Sequence, residues 1–194
     1  MKMTELDARS PWVIDTLAMG RGPGKSRKLQ RKIPLDSPLG LDMIAIPAGE
    51  TVSADLLLES VLEGVLVTGT VSAQAQGECG RCLKPLTDTL NVEICELYVY
   101  PDSVTDETAD ADEVFRLEGD LLNLEPAARD ALVLAMPLTP HCREDCRGLC
   151  PECGERLDDL PPDHAHDRVD PRWAALQQLL ESSPESASER KDES

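Results

Sequence analysis

The chain has 194 residues, 41% of them hydrophobic but only 3% aromatic, and 19 basic against 37 acidic residues leave a net charge of −18. That length suits one domain with appendages or two small ones, built on a core of Leu, Val, Ile and Ala. So few rings on so acidic a chain argue against a single-strand nucleic-acid binder that works by base stacking, and seven cysteines, an odd number, argue against a disulfide framework.

Residues 1–11 read as a mobile leader without an apolar run of signal-peptide length. No stretch is apolar enough to cross a bilayer, so the chain is expected to be soluble and cytoplasmic. Trp12-Val13-Ile14 predicts a short strand, ended where Gly20, Gly22, Pro23 and Gly24 are too dense for a regular element. Between Thr16 and Leu35 there is no acid, whereas Arg21, Lys25, Arg27, Lys28, Arg31 and Lys32 are basic. This basic arm, 21–32, is either a solvated strand or a contact for RNA or a partner protein. From Ser26 it can run extended, with Leu29 and Ile33 as apolar contacts and Pro34 and Pro38 closing it.

Thr51–Glu63 fits strand or helix, because Leu56-Leu57-Leu58 and Val61-Leu62 satisfy either period. Val65–Ala73 is less ambiguous: β-branched residues dominate, and Gly64 and Gly69 disfavour a helix. In Thr89–Tyr100 the residues Val92, Ile94, Tyr98 and Tyr100 share one face, and Cys95, with Leu97 and Val99 on the other, is expected as a packed strand residue. Cys79-Gly80-Arg81-Cys82 then falls at the tip of an antiparallel hairpin. Asp102–Asp120 carries eight acids and one base, Arg116, and reads as a mobile acidic loop that could meet a basic protein. Glu125–Met136 predicts a helix with Pro126 near its start and Leu124, Ala128, Ala131, Leu132, Leu134 and Ala135 as its apolar stripe. Pro137 and Pro140 stop it.

Beyond lies the densest chemistry in the chain: His141, then Cys142, Cys146, Cys150 and Cys153 at C-x3-C-x3-C-x2-C spacing, with Gly154 following. A C-x2-C pair flanked by Gly and Pro folds into a knuckle that points two thiolates at one tetrahedral ion. Cys79, Cys82, Cys142, Cys146, Cys150 and Cys153 with His164 and His166 make eight ligands, the number for two closed sites. One partition groups Cys79, Cys82, Cys142 and Cys146 on one ion and Cys150, Cys153, His164 and His166 on another. A second joins Cys79, Cys82, Cys150 and Cys153 in a single four-thiolate ribbon. His141 reads as surface. Zinc is favoured over iron, as one or two ions, and a closed site supplies folding energy without catalysis. Asp170-Pro171 opens a last helix with Trp173, Leu176, Leu179 and Leu180 on one face, and 181–194 reads as a disordered tail.

The fold class expected is α+β: an antiparallel β-rich domain, 12–136, with two helices and a zinc-stapled Cys/His module at 137–180. Several runs together resemble the YceD family: Gly64-Val-Leu-Val-Thr-Gly69, Cys79-Gly-Arg-Cys82-Leu83, Gly119-Asp-Leu-Leu-Asn-Leu-Glu-Pro126, Cys146-Arg-Gly-Leu-Cys150-Pro-Glu-Cys153-Gly154 and Asp170-Pro-Arg-Trp-Ala-Ala-Leu176. The resemblance spans about 9–180 and implies a cytoplasmic, metal-binding protein of mixed β and α structure that supports accumulation of the large-subunit ribosomal RNA. Family members often close the last module with C-x-C, where His164-x-His166 stands here. The expected function is a non-enzymatic ribosome-assembly factor whose partner is ribosomal RNA or a basic large-subunit ribosomal protein. No small-molecule substrate, no catalytic residue and no membrane partner is expected. Two alternatives use the same residues: a thiol redox enzyme or sensor at Cys79 and Cys82, or a zinc-ribbon adaptor in transcription.

Overall fold

A computed structural model of the chain describes residues 6–101, 103–108, 114–166 and 171–173. In chain order these form β1 (Val13–Asp15), β2 (Ser26–Pro34), β3 (Leu39–Leu41), β4 (Ile44–Ile46), β5 (Thr51–Ser60), β6 (Gly64–Glu78), β7 (Pro85–Val99), α1 (Val104–Thr108), β8 (Phe115–Arg116), β9 (Leu121–Asn123) and α2 (Glu125–Ala135). Strands dominate and pair antiparallel, apart from the two-residue parallel contact of β8 with β7. The α+β, β-rich class read from the sequence is the class of the structure.

β6 is the spine of the sheet. Along one edge it pairs with β7 over its full length, from Gly64↔Val99 to Glu78↔Pro85, and along the other with β5 and then β4. β2 flanks β5 and β3 flanks β4, while β1 and β9 make a separate two-stranded sheet. Alternation settles the ambiguous stretch 51–63 as strand: Leu56 and Leu58 are buried, and Leu57 between them is half-buried on the opposite face. The inner face, including Ile33, Val52, Val67, Val71 and Ile94, shares one core with Trp12, Ile14, Leu122, Leu124, Ala128 and Leu132.

Gly69 sits on that inner face opposite Leu56 and Ile94. Its φ is +143°, and a Cβ there would collide with the carbonyl oxygen of Asp55. Gly69→Ala is therefore expected to cost roughly 2–4 kcal/mol, read as a lower urea midpoint at unchanged m. Tyr98 is a second instructive core position. Its ring stacks on Phe115 with centroids 5.2 Å apart, and its buried hydroxyl has no hydrogen-bond partner among the described residues. Burial, with Glu96 adding to it, pushes the phenol well above its usual range. Tyr98→Phe keeps the ring and deletes an unsatisfied donor, so stability should stay level or rise by up to about 1 kcal/mol.

Several expectations change here. The basic arm is an edge strand with its arginines engaged inward: Arg27 donates to the carbonyl of Asp15 (3.2 Å) and Arg31 to that of Pro11 (2.9 Å). Arg21 reaches Gly119 and Asp120 and lies 5.4 Å from the centroid of the Tyr100 ring. Lys25, Lys28 and Lys32 remain exposed. Cys95 is exposed on the outer face, opposite Thr68, because Ile94 takes the inward parity. The acidic stretch 102–120 is not loop throughout: α1 and β8 lie in it, Arg116 pairs with Asp106 at 2.6 Å, and Leu117 is buried. The apolar stripe on α2 splits, with Leu124, Ala128 and Leu132 buried but Leu134 and Ala135 exposed.

The chain divides into two compact units, Met1–Gly148 and Leu149–Ser194. The backbone before Leu149 is tied to the hairpin tip: Gly80 N–H donates to the carbonyl of Pro140 at 2.8 Å. Of the leader, Leu6 N–H donates to Glu118 (3.0 Å), and residues 1–5 lie outside the described residues. Pro171–Trp173 is a single 3-10 turn; the rest of the expected last helix and the 181–194 tail also lie outside. No helix among the described residues is long and apolar enough to cross a membrane.

Candidate metal centres

Both C-x2-C knuckles use the same backbone turn, although they lie in different units. In the first, Cys79 N–H donates to the Lys84 carbonyl (2.9 Å) and Leu83 N–H donates back to the Cys79 carbonyl (2.9 Å). In the second, Cys150 N–H donates to Glu155 (2.7 Å) and Gly154 N–H to Cys150 (2.9 Å). The residue after the second cysteine must adopt positive φ to close this turn: Gly154 does so at +75° at no steric cost, and Leu83 does so at +57°. Leu83 is half exposed, so no packing demands its side chain. Leu83→Gly should stabilise the knuckle by up to about 1 kcal/mol, seen as a higher melting temperature.

At the hairpin tip between β6 and β7, the sulfurs of Cys79, Cys82, Cys142 and Cys146 all lie within 4.8 Å of one another. Cys79 Sγ is 3.8 Å from Cys146 Sγ, and Cys82 Sγ is 3.7 Å from Cys142 Sγ. These are far too long for a disulfide of about 2.05 Å. They match the roughly 3.8 Å edge of a tetrahedron whose metal–sulfur bonds are about 2.3 Å. Cys79, Cys82 and Cys146 are buried and Cys142 is exposed. Arg81, which the sequence reading left without a role, clamps the far side of this set by donating to the carbonyls of Glu144 and Cys146, both at 3.1 Å. Gly80 lets that segment approach: a Cβ there would sit 2.7 Å from the Thr139 methyl. The signal for this clamp was a lone basic residue inside the first knuckle.

The electrostatics of this set are those of thiols in want of a cation. Burial pushes the Cys79 thiol up, but the backbone around Cys142, Arg81 and Cys82 stabilises its thiolate more, and it falls to about 5. Cys142 is pushed up to about 12 by removal from water and by the thiols of Cys146, Cys82 and Cys79. Burial likewise raises Cys146. One thiolate in the cluster favours protons on its neighbours, and a bound cation would take the place of those protons.

The second unit brings Cys150, Cys153, His164 and His166 within the same 4.8 Å limit. Cys150 Sγ lies 3.2 Å from His166 Nε2, and Cys153 Sγ lies 3.7 Å from His164 Nε2. The expected sulfur–nitrogen edge is roughly 3.6 Å for bonds of about 2.3 and 2.05 Å. The two imidazoles meet edge to face with centroids 4.5 Å apart. Backbone N–H groups of Cys153 and Glu152 lower the Cys150 thiol to about 6 against the opposing effect of burial. Cys150 is buried, whereas Cys153 and His166 are exposed. His141 stays outside both sets and is exposed. Both donor sets fit zinc by donor type and spacing, and in each the four protein ligands would leave no open position for a substrate.

Over residues 67–180 the chain matches the family described as large ribosomal RNA subunit accumulation protein YceD. It is 46% identical to an uncharacterized protein of Mycobacterium tuberculosis over 171 residues, which is 88% of this chain and 82% of that protein. An uncharacterized protein of Mycobacterium leprae is 41% identical over 88% of this chain and 78% of its own length. The uncharacterized protein YlbN of Bacillus subtilis is 28% identical over 60% and 67%. No solved structure matches.

Proposed function

The chain belongs to the YceD family of large ribosomal RNA subunit accumulation proteins, and on that premise we propose that it is a non-enzymatic, zinc-binding factor in large-subunit assembly. The family match carries the process. The two tetrahedrally spaced donor sets support the zinc, and their four-ligand closure supports a structural role over a catalytic one. The redox alternative loses ground because Cys79 and Cys82 are 0% and 3% exposed, out of reach of a partner disulfide.

The partner is ribosomal RNA or a basic ribosomal protein. Lys28 and Lys32 on the β2 edge, with Lys25 just before it, offer exposed charge for phosphate, while the net −18 limits how much nucleic acid the whole surface can attract. Depleting the protein in cells should lower mature large-subunit ribosomal RNA relative to small-subunit RNA and reduce the large-subunit peak in gradients. Unchanged RNA levels and unchanged subunit profiles would overturn this reading. Lys28→Glu/Lys32→Glu tests the RNA contact, since a phosphate-binding edge should lose affinity and salt dependence together.

A further inference from the structure

α2 presents two apolar faces. Leu124, Ala128 and Leu132 repeat at i, i+4 and i+8 and are buried in the core. One residue back, about 100° around the helix, Ala127, Ala131 and Leu134 repeat at i, i+4 and i+7. Leu134 is 85% exposed. This second stripe faces a groove of about 520 Å³ against β7, floored by Val92, Phe115, Ala127, Ala131 and Ala135. The charged residues lining the groove are Glu93, Glu96 and Asp130, with no Lys or Arg among the lining. Among the described residues this apolar helical stripe with its large exposed leucine is a seam lacking its second element.

We propose that this groove between α2 and β7 docks a cationic amphipathic segment of another protein, its apolar residues on Ala131 and Leu134 and its Lys or Arg on Glu93, Glu96 and Asp130. Charge selects the occupant. Nucleic acid would bring phosphate against three carboxylates. A second copy would bring another net −18. The chain's own last residues, 181–194, hold five acids and two bases and carry the wrong sign. A basic segment with helical apolar spacing satisfies both the stripe and its acidic rim. The inference deepens the assembly-factor reading by giving its basic protein partner a place to bind.

The test uses the zinc-loaded full chain and a Leu/Lys peptide of about 14 residues with leucines at helical spacing, beside a scrambled peptide of the same composition. The ordered peptide should bind one per chain and shift the amides of 92–96 and 127–138. Leu134→Lys, on a side chain too exposed to matter for folding, should weaken binding at least about tenfold with an unchanged melting temperature. Glu93→Lys/Glu96→Lys should reduce the salt dependence. Equal binding of both peptides, an unaffected Leu134→Lys variant, shifts on the lysine edge instead, or a dimer that Leu134→Lys dissociates would each overturn the proposal. Deletion cells separate the two readings. If deletion leaves ribosomal RNA unchanged, the assembly role fails whatever the peptide does; if deletion lowers it and Leu134→Lys restores it fully, the docking site fails and the role stands.

Discussion

Purified protein is expected to carry about two zinc ions per chain, and Cys146→Ser about one. Cys146 is buried, lies 3.8 Å from Cys79 Sγ, and belongs to a set in which, among the described residues, no fifth donor is present to replace it. A serine hydroxyl does not ionise at neutral pH and is a poor zinc ligand, so the whole ion should be lost from the hairpin-tip set. Cys82→Ser should do the same, His164→Ala should empty the other set, and Cys146→Ser/His164→Ala should hold none. Apparent zinc binding energies of about 10–16 kcal/mol in small modules make this the largest single effect available in the chain. The loss should be felt around 79–84 and 139–148, while the sheet core stays folded. A content of about one ion, insensitive to Cys146 and His164, would instead favour the ribbon of Cys79, Cys82, Cys150 and Cys153. Uptake should also depend on pH in a fixed direction. Cys142, pushed up to about 12, and the raised Cys146 both hold protons at neutral pH, and zinc must displace them. Affinity at this set should therefore fall as pH falls, by at least about tenfold per unit while protons compete with the ion. Zinc titrations at pH 6, 7 and 8 with a competing chelator would check this.

How much of this was legible beforehand depended on whether a feature was local. The knuckles could be read because Cys, spacing and turn residues are adjacent in sequence, and so could β6 and β7, where β-branched residues and glycines exclude helix. The stretch 51–63 could not be settled, since Leu56-Leu57-Leu58 suits either period until a neighbouring strand fixes which leucines face inward. Long-range hydrogen bonding was likewise invisible. The arginines of 21–32 read as an open basic surface, and only the fold brings the carbonyls of Pro11 and Asp15 to Arg31 and Arg27. Cys95 and Leu134 failed for one reason: an apolar residue was assigned to a face without knowing whether anything covers that face. For Cys95 the neighbour is Thr68 on an outer surface, and for Leu134 it is a groove that no described residue fills. The partition of ligands was open in sequence because Cys146 and Cys150, only four residues apart, fall on opposite sides of the division at Gly148.

Chelation at neutral pH should unfold residues 149–166 while leaving the sheet intact. Among the described residues of this unit, Cys150 alone is buried, so there is almost no apolar area to offset the conformational entropy of ordering the segment. Its internal backbone contacts are few: the Leu149↔Arg156 bridge, the turn bonds at Cys150 and Gly154, and single turns closed at Asp159 and His164. A segment so held folds only when an ion joins its four donors, the behaviour of small zinc modules that are unfolded when metal-free. The first unit differs, since a large buried hydrophobic core supports its sheet and three of the four cysteines in its cluster are buried. Exposure of Cys153 and His166 also gives a chelator a direct path to the second set. Hydrogen exchange after mild chelation should therefore show protection at the Cys150 and Gly154 amides falling by at least about a hundredfold, with Val67 and Ile94 unchanged. Full protection at Cys150 and Gly154 in protein shown to be zinc-free would mean that something other than metal holds this unit.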